Sequence, residues 1–136
     1  MDKNVTSEVM ICEDLRKLNN ACLHDPFPTP FTDEVLESVY GQDMYSFTHE
    51  FLGYHQVIIF REDCHKTTFV TEWGCYQYTV IPFGLKNAPA IFSRIVVSTF
   101  KYFIHKFLEV YFDDWTIFGL ARDHIENLHM MMERCR

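Results

Sequence analysis

The stretch FLEVYFDDWTIFG, Phe107 to Gly119, sets two adjacent carboxylates, Asp113 and Asp114, between two apolar arms of strand-forming residues. Arms of this kind bury themselves by pairing, which turns the acids out together at one end. Neighbouring carboxylates repel each other and lose hydration beside apolar strands, an arrangement that is costly without a cation. Hard oxygen ligands suit Mg²⁺, which takes one or two carboxylates and completes its shell with water and substrate phosphates. Asp is also common in ordinary β-turns. From the residues alone both readings stand.

The rest of the chain reads as α+β. HDPFPTPFTDE, His24 to Glu34, has prolines at alternate positions and predicts an extended connector. Thr32 opens a short helix, DEVLESVYG, with acids in its first turn and Gly41 behind it. MYSFTHEF, QVIIFRED, KTTFVTE and CYQYTVIPF read as strands, the last two joined by a hairpin turn at Glu72-Trp73-Gly74. Asn87 is placed to cap a helix starting near Ala88, with Pro89 in its permissive first turn. Phe92, Ile95, Val96, Thr99 and Phe103 share one face of it. Asp123 is placed to cap a closing helix whose apolar stripe is Ile125, Leu128, Met131 or Met132, and Cys135.

Composition narrows the function classes. With 48% hydrophobic residues the chain can bury a core. It has no apolar run of about 18 residues and no signal-peptide core, so the expectation is a soluble protein of the nucleus or cytoplasm, with no membrane partner. Five scattered cysteines predict reduced thiols rather than a disulfide framework. A zinc site from Cys64, His65 and Cys75 matches no common spacing. The formal net charge of −7 weighs against strong binding to a phosphate backbone.

Several motifs in one register resemble the reverse transcriptase of gypsy-class LTR retrotransposons, in spelling most similar to plant elements. CEDLRKLNNA resembles the fingers motif CxDxRxLN, DPFPTP the Pro-rich connector, and DHIENL the helix start EHxxHL. GYHQV, KTTFVTEWGCYQYTVIPFGLKNAPAIF and EVYFDDW follow in family order. The resemblance implies a fingers/palm fold, the palm an antiparallel sheet packed on helices. It implies partial fingers and connector over 1–44 and palm over 45–136, with further fingers at about 57–90, and no thumb or RNase H domain.

The resemblance also implies site residues. Asp113 and Asp114 match two of three catalytic, Mg²⁺-holding aspartates. Tyr54 matches the steric gate that screens the 2′-OH of the incoming nucleotide. Phe83 and Gly84 fall in the segment that contacts nucleotide and template, while Asp14, Arg16 and Asn19 match fingers residues that support the pocket. The third aspartate belongs to a motif close to YSFTDGFSGYHQ; this chain reads YSFTHEFLGYHQ, with His49 in the aspartate's place. Glu50 and Leu52 replace small residues there, and Met10 stands where an arginine usually grips the triphosphate.

These departures set the functional expectation: a retrotransposon-derived domain without polymerase activity, binding a protein partner, or nucleic acid weakly, with homo-oligomerisation and a host-defence role open. Mg²⁺ is the cofactor if there is one. Phe100, Tyr102, Phe103 and Phe107 form a candidate exposed aromatic patch. Two alternatives stay open: residual polymerase or metal-dependent phosphoryl transfer through Asp113 and Asp114 with a displaced Glu50, and a zinc site of His49, Asp113 and Asp114.

Overall fold

The paired arms of Phe107 to Gly119 form the centre of the molecule. In the computed structural model, which describes residues 13–28, 31–50 and 53–136, they become β4 (Leu108–Tyr111) and β5 (Asp114–Gly119). A two-residue turn, Phe112-Asp113, joins them, with Tyr111 paired to Asp114 and Leu108 to Ile117. β1 (Met44–His49) pairs antiparallel along the other side of β5, giving the strand order β1-β5-β4. β2 (Phe69–Thr71) and β3 (Gly74–Tyr76) make a separate hairpin in which Thr71 pairs with Gly74, so its turn is Glu72-Trp73.

Among the described residues, four α-helices flank these sheets: α1 (Arg16–Ala21), α2 (Thr32–Val39), α3 (Ala88–Phe100) and α4 (His124–Arg134). None is long and apolar enough to cross a membrane. One face of the three-stranded sheet supplies Leu108, Trp115 and Ile117 to the core, where they meet Phe92, Val96 and Phe100 of α3, Phe107, and Met131 of α4. Burying such side chains contributes about 1.5–3 kcal/mol each, which fixes the helices on that face. On the opposite face α2 is tied to β4 through Ser38, whose hydroxyl donates to the buried Glu109 carboxylate at 2.6 Å.

Several expectations are corrected. QVIIFRED and much of CYQYTVIPF do not extend as strands. GYHQ is a 3₁₀ turn, Gly53–Gln56, and Cys64–Thr67 is another. QVIIFRED and CYQYTVIPF meet in a single bridge among the described residues, Ile58 with Val80. The second 3₁₀ turn is held by Thr67, which donates to the Cys64 carbonyl at 2.7 Å, so KTTFVTE starts its strand only at Phe69.

Asn87 occupies the position before α3 but does not cap it. Its amide is taken by the N-terminal segment, donating to the Leu23 carbonyl at 2.7 Å and accepting from the Asp25 N–H at 3.2 Å. Asp123 likewise makes no side-chain cap; its carboxylate accepts from Arg122. The buried stripe of α3 runs Ala88, Phe92, Val96, Phe100, while Ile95 is exposed. On α4, Met131 is buried and Leu128 packs against the core as expected, whereas Ile125, Met132 and Cys135 are exposed and His124 is buried at the start of the helix.

The aromatic patch is also corrected. Phe100 and Phe107 are core residues, Phe103 packs against them, and Tyr102 alone is exposed. Cys12, Met10, Phe51 and Leu52 lie outside the described residues.

Gly53, at the head of the first 3₁₀ turn, shows how tightly β1 hands the chain to α3. A Cβ there would stand 2.5 Å from Glu50 Cγ and 2.6 Å from Phe92 Cζ. Gly53→Ala is expected to cost about 1–3 kcal/mol through overpacking, read as a lower midpoint in urea unfolding with an unchanged slope.

Candidate functional site

The register of the sheet decides which polar side chains meet at its open end. Asp114 is the first residue of β5 and lies opposite His49, the last residue of β1. His49 Nδ1 stands 2.9 Å from Asp114 Oδ1, and both side chains are largely exposed. Asp113 sits in the turn beside them, and its carbonyl accepts the Glu50 N–H at 2.8 Å, which closes the end of β1 onto the hairpin. The preceding turn residue, Phe112, has φ 53°, a left-handed conformation unusual for an aromatic side chain. Such local strain persists only where the surroundings hold it, and here strand pairing on both sides does so.

Tyr54, in the 3₁₀ turn, stands edge-on to both Phe83 and Phe92 with ring centroids 5.4 Å from each. His55 meets Phe83 at 5.0 Å. The Tyr54 phenol is held above its ordinary pKa, first by burial and then by the Asp113 charge. The structure thus brings His49, Asp113, Asp114, Tyr54 and Phe83 to one region of the molecule.

The residues expected to belong to the fingers form a second group. Asn19 clamps the loop before α3, donating to the Gly84 carbonyl at 2.7 Å and accepting from the Lys86 N–H at 2.8 Å. Gly84 has φ 92°, which favours glycine at that position. Arg94 of α3 holds both oxygens of Asp25, at 2.8 and 2.9 Å. Arg16 is engaged by Asp14 through two side-chain hydrogen bonds, 2.8 and 2.6 Å. The Arg16 side chain and then its backbone N–H pull the Asp14 carboxyl down to about 2. Both residues are exposed, so this pair contributes little to stability.

Glu50 turns away from the exposed acids, as alternation along the strand predicts. It accepts from Gln56 at 3.1 Å and walls a cleft with Trp115 and Cys135. Gln56, Trp115 and Cys135 were not foreseen as neighbours of this site; nothing in the local pattern reveals a contact between a strand end and the last turn of a distant helix. Burial first, and then the Asp113 charge, raise the Glu50 pKa above its ordinary value of 4.5.

The donor set does not fit a two-metal centre. Mg²⁺ selects anionic oxygen, whereas the position facing Asp114 presents imidazole. Among the described residues no group of three or more His, Cys, Asp or Glu side chains converges closely enough to hold a metal ion. That finding also counts against zinc at His49, Asp113 and Asp114, and against Cys64, His65 and Cys75.

With this geometry in view, comparison with known proteins identifies the class. The family model described as reverse transcriptase (RNA-dependent DNA polymerase) matches residues 3–136. The chain belongs to that family. The Pol polyprotein of transposon 297 from Drosophila melanogaster is 33% identical over 135 residues, covering 98% of this chain and 13% of that protein. That of the Drosophila gypsy transposon is 31% identical over 121 residues, covering 88% and 12%. The enzymatic polyprotein of cauliflower mosaic virus is 34% identical over 121 residues, covering 88% and 18%.

More particularly, then, the chain is a reverse-transcriptase domain of the LTR-retrotransposon kind, spanning less than a fifth of the length of these relatives. Foamy viral protease-reverse transcriptase shares the fold, with a TM-score of 0.79 at 22% identity over 89% of this chain and 16% of that one.

The Glu50 shift sets a pH signature. The folded state holds this proton more tightly than the unfolded chain, so its contribution to stability is full below about 4.5 and is lost as pH rises through the shifted value. Glu50→Gln is expected to raise the melting temperature at neutral pH, with the difference closing in acid. A constant difference across the pH series would contradict the assignment.

Proposed function

We propose that this domain no longer polymerises and acts by binding, to a protein partner or weakly to nucleic acid. The observation that supports this reading is His49 at the register position facing Asp114, hydrogen-bonded to it at 2.9 Å. Polymerisation in this family implies a carboxylate there. An imidazole removes one negative charge from a site that must concentrate cations, and it occupies Asp114 in a hydrogen bond. Loss of one ligand from a two-metal centre costs on the order of 10³-fold in rate.

Foamy viral enzymes have been solved with an RNA/DNA hybrid and with double-stranded DNA, and the shared fold gives this chain the scaffold for a related contact. Its net charge of −7 makes that contact weak. A role in host defence, by occupying the place of a related polymerase in its assembly, fits a protein-binding mode. Spelling of the motifs alone supports kinship with plant elements.

A second reading rests on the hairpin itself, which still presents Asp113 and Asp114 together at its tip. On that reading a residual RNA-directed DNA polymerase or phosphoryl-transfer activity survives on the two carboxylates.

Primer extension on an RNA template, with Mg²⁺ and with Mn²⁺, separates the two. No incorporation is expected; incorporation that Asp113→Asn abolishes would overturn the inactive reading. Calorimetric titration tests the cause independently of turnover. His49→Asp is expected to tighten Mn²⁺ binding by about tenfold or more, since a third anionic ligand returns to the site. Pull-down from extract with and without nuclease then tells a protein partner from one bridged by RNA or DNA.

A further inference from the structure

β4 ends the sheet on the side away from β1, and a cavity of about 330 Å³ runs along its outer edge. Glu109 and Val110 are successive residues of β4 and both line it. Successive strand side chains point to opposite faces, so the cavity sits at the edge of the strand rather than over one face. α2 closes one side through Glu34 and Val35, and α3 the other through Ser93 and Val97. The volume is at the lower end of the range for small-molecule sites.

Glu109 is the unusual member of this lining, a carboxylate whose side chain is only 4% exposed. Two donors hold it, the Ser38 hydroxyl at 2.6 Å and His105 Nδ1 at 2.8 Å, and both end on the same oxygen, Oε1. The other oxygen, Oε2, receives no hydrogen bond from the described residues. Yet it is not among the polar atoms sealed off without a partner, which are Thr48 Oγ1, Trp115 Nε1 and His124 Nδ1. Oε2 therefore keeps an accessible edge, and the cavity is the space that Glu109 lines. An ionised carboxylate only accepts, so this oxygen calls for a donor.

Three other lining groups are polar: Glu34, Ser93 and His105. Glu34 is exposed on α2 and adds a second negative charge. The Ser93 hydroxyl donates or accepts as its partner requires. His105 is the one lining group that favours an anion, but its Nδ1 is already engaged by Glu109, and two carboxylates stand against it. The rest of the lining is apolar and includes the rings of Phe27, Phe31 and Phe112. Arg94 lies over the Phe27 ring at 5.1 Å, with its hydrogen bonds spent on Asp25. Among the described residues no three metal-ligating side chains converge here, which sets a metal ion aside as the donor's source.

We propose that this cavity binds a primary ammonium ion carried on a short aromatic body. The ammonium donates to Glu109 Oε2, and a charge-assisted bond to a buried carboxylate is among the stronger hydrogen bonds. The exposed Glu34 adds attraction from the rim. The ligand's ring lies among Phe27, Phe31 and Phe112, whose faces also favour a cation beside them. An anion of the same shape meets Glu109 and Glu34 together. The inference does not depend on whether the chain polymerises, since neither His49, Asp113 nor Asp114 lines the cavity.

Phenethylammonium is the probe. In a ¹³C–¹H spectrum the methyl peaks of Val35, Val97 and Ile104, which line the cavity, are expected to move saturably, while those of Ile58 and Val70, outside it, stay in place. Phenylacetate, similar in size and opposite in charge, is expected to bind at least about tenfold more weakly. Glu109→Gln keeps the shape and removes the charge, and is expected to weaken phenethylammonium at least about tenfold. Should that buried change prevent folding, Ser93→Leu on α3 fills the cavity without touching a charge and is expected to weaken binding to a similar degree. Lining methyls that phenethylammonium leaves in place overturn the proposal. Phenylacetate binding as tightly also overturns it, because that result assigns the cavity to the His105 imidazole. Undiminished affinity in either folded variant would place the ligand elsewhere and sink the idea.

Discussion

Antiparallel pairing on both sides of β5 determines where every polar group at the end of the sheet stands. Asp114 is fixed against Tyr111 on one side and His49 on the other, while Trp115, one residue on, faces Val110 and Thr48. A slip of one residue would exchange the two faces, sending Trp115 and Ile117 to solvent and the acid into the core. The apolar contacts of α3 and α4 with Leu108, Trp115 and Ile117 prevent that slip. The exposed pair and the buried core are thus two sides of one register, and packing energy on the inner face sets the chemistry of the outer one.

That coupling explains how much of the molecule was legible in the amino-acid sequence. The β4–β5 hairpin and the starts of α3 and α4 follow from period-two and helical patterns, because those elements bury apolar side chains, and the β2–β3 turn follows from its turn residues. The motif around His49 stood out because a histidine takes the place of its acid, with Glu50 and Leu52 in place of small residues beside it. What failed were segments whose side chains answer to distant partners. QVIIFRED has the composition of a strand, yet Thr67 and the 3₁₀ turns shorten the pairing available to it. Asn87 has the side chain of a cap, but the Leu23–Asp25 backbone offers it better-placed partners. At the start of α4, His124 is buried in place of Ile125 because its Nε2 meets the Ser46 hydroxyl at 2.8 Å, which draws it inward despite its polarity.

The candidate site was legible as a set of residues and not as an arrangement. The sequence places His49 and Asp114 some sixty positions apart, and only the sheet shows them as a hydrogen-bonded pair. Arg16 is spoken for by Asp14, and Asn19 by the loop at Gly84. Glu50 illustrates the same point from the other side. An acid beside His49 invites the idea of replacement, yet its backbone closes the hairpin while its carboxyl accepts from Gln56.

β1 has a further consequence, because it ends the sheet. An edge strand presents a row of amides and carbonyls that another extended chain can extend. From Met44 to His49 this one carries no Lys, Asp or Glu, and its outward side stacks Tyr45 on Phe47 at 6.5 Å. In the sequence, the acids that flank it are Asp43 and Glu50, one beyond each end. Charges at those two points work as gatekeepers, halting an incoming strand at the margins rather than along its length. Because one gatekeeper is also the half-buried acid of the cleft, whatever neutralises Glu50 lowers the barrier against self-association along the strand.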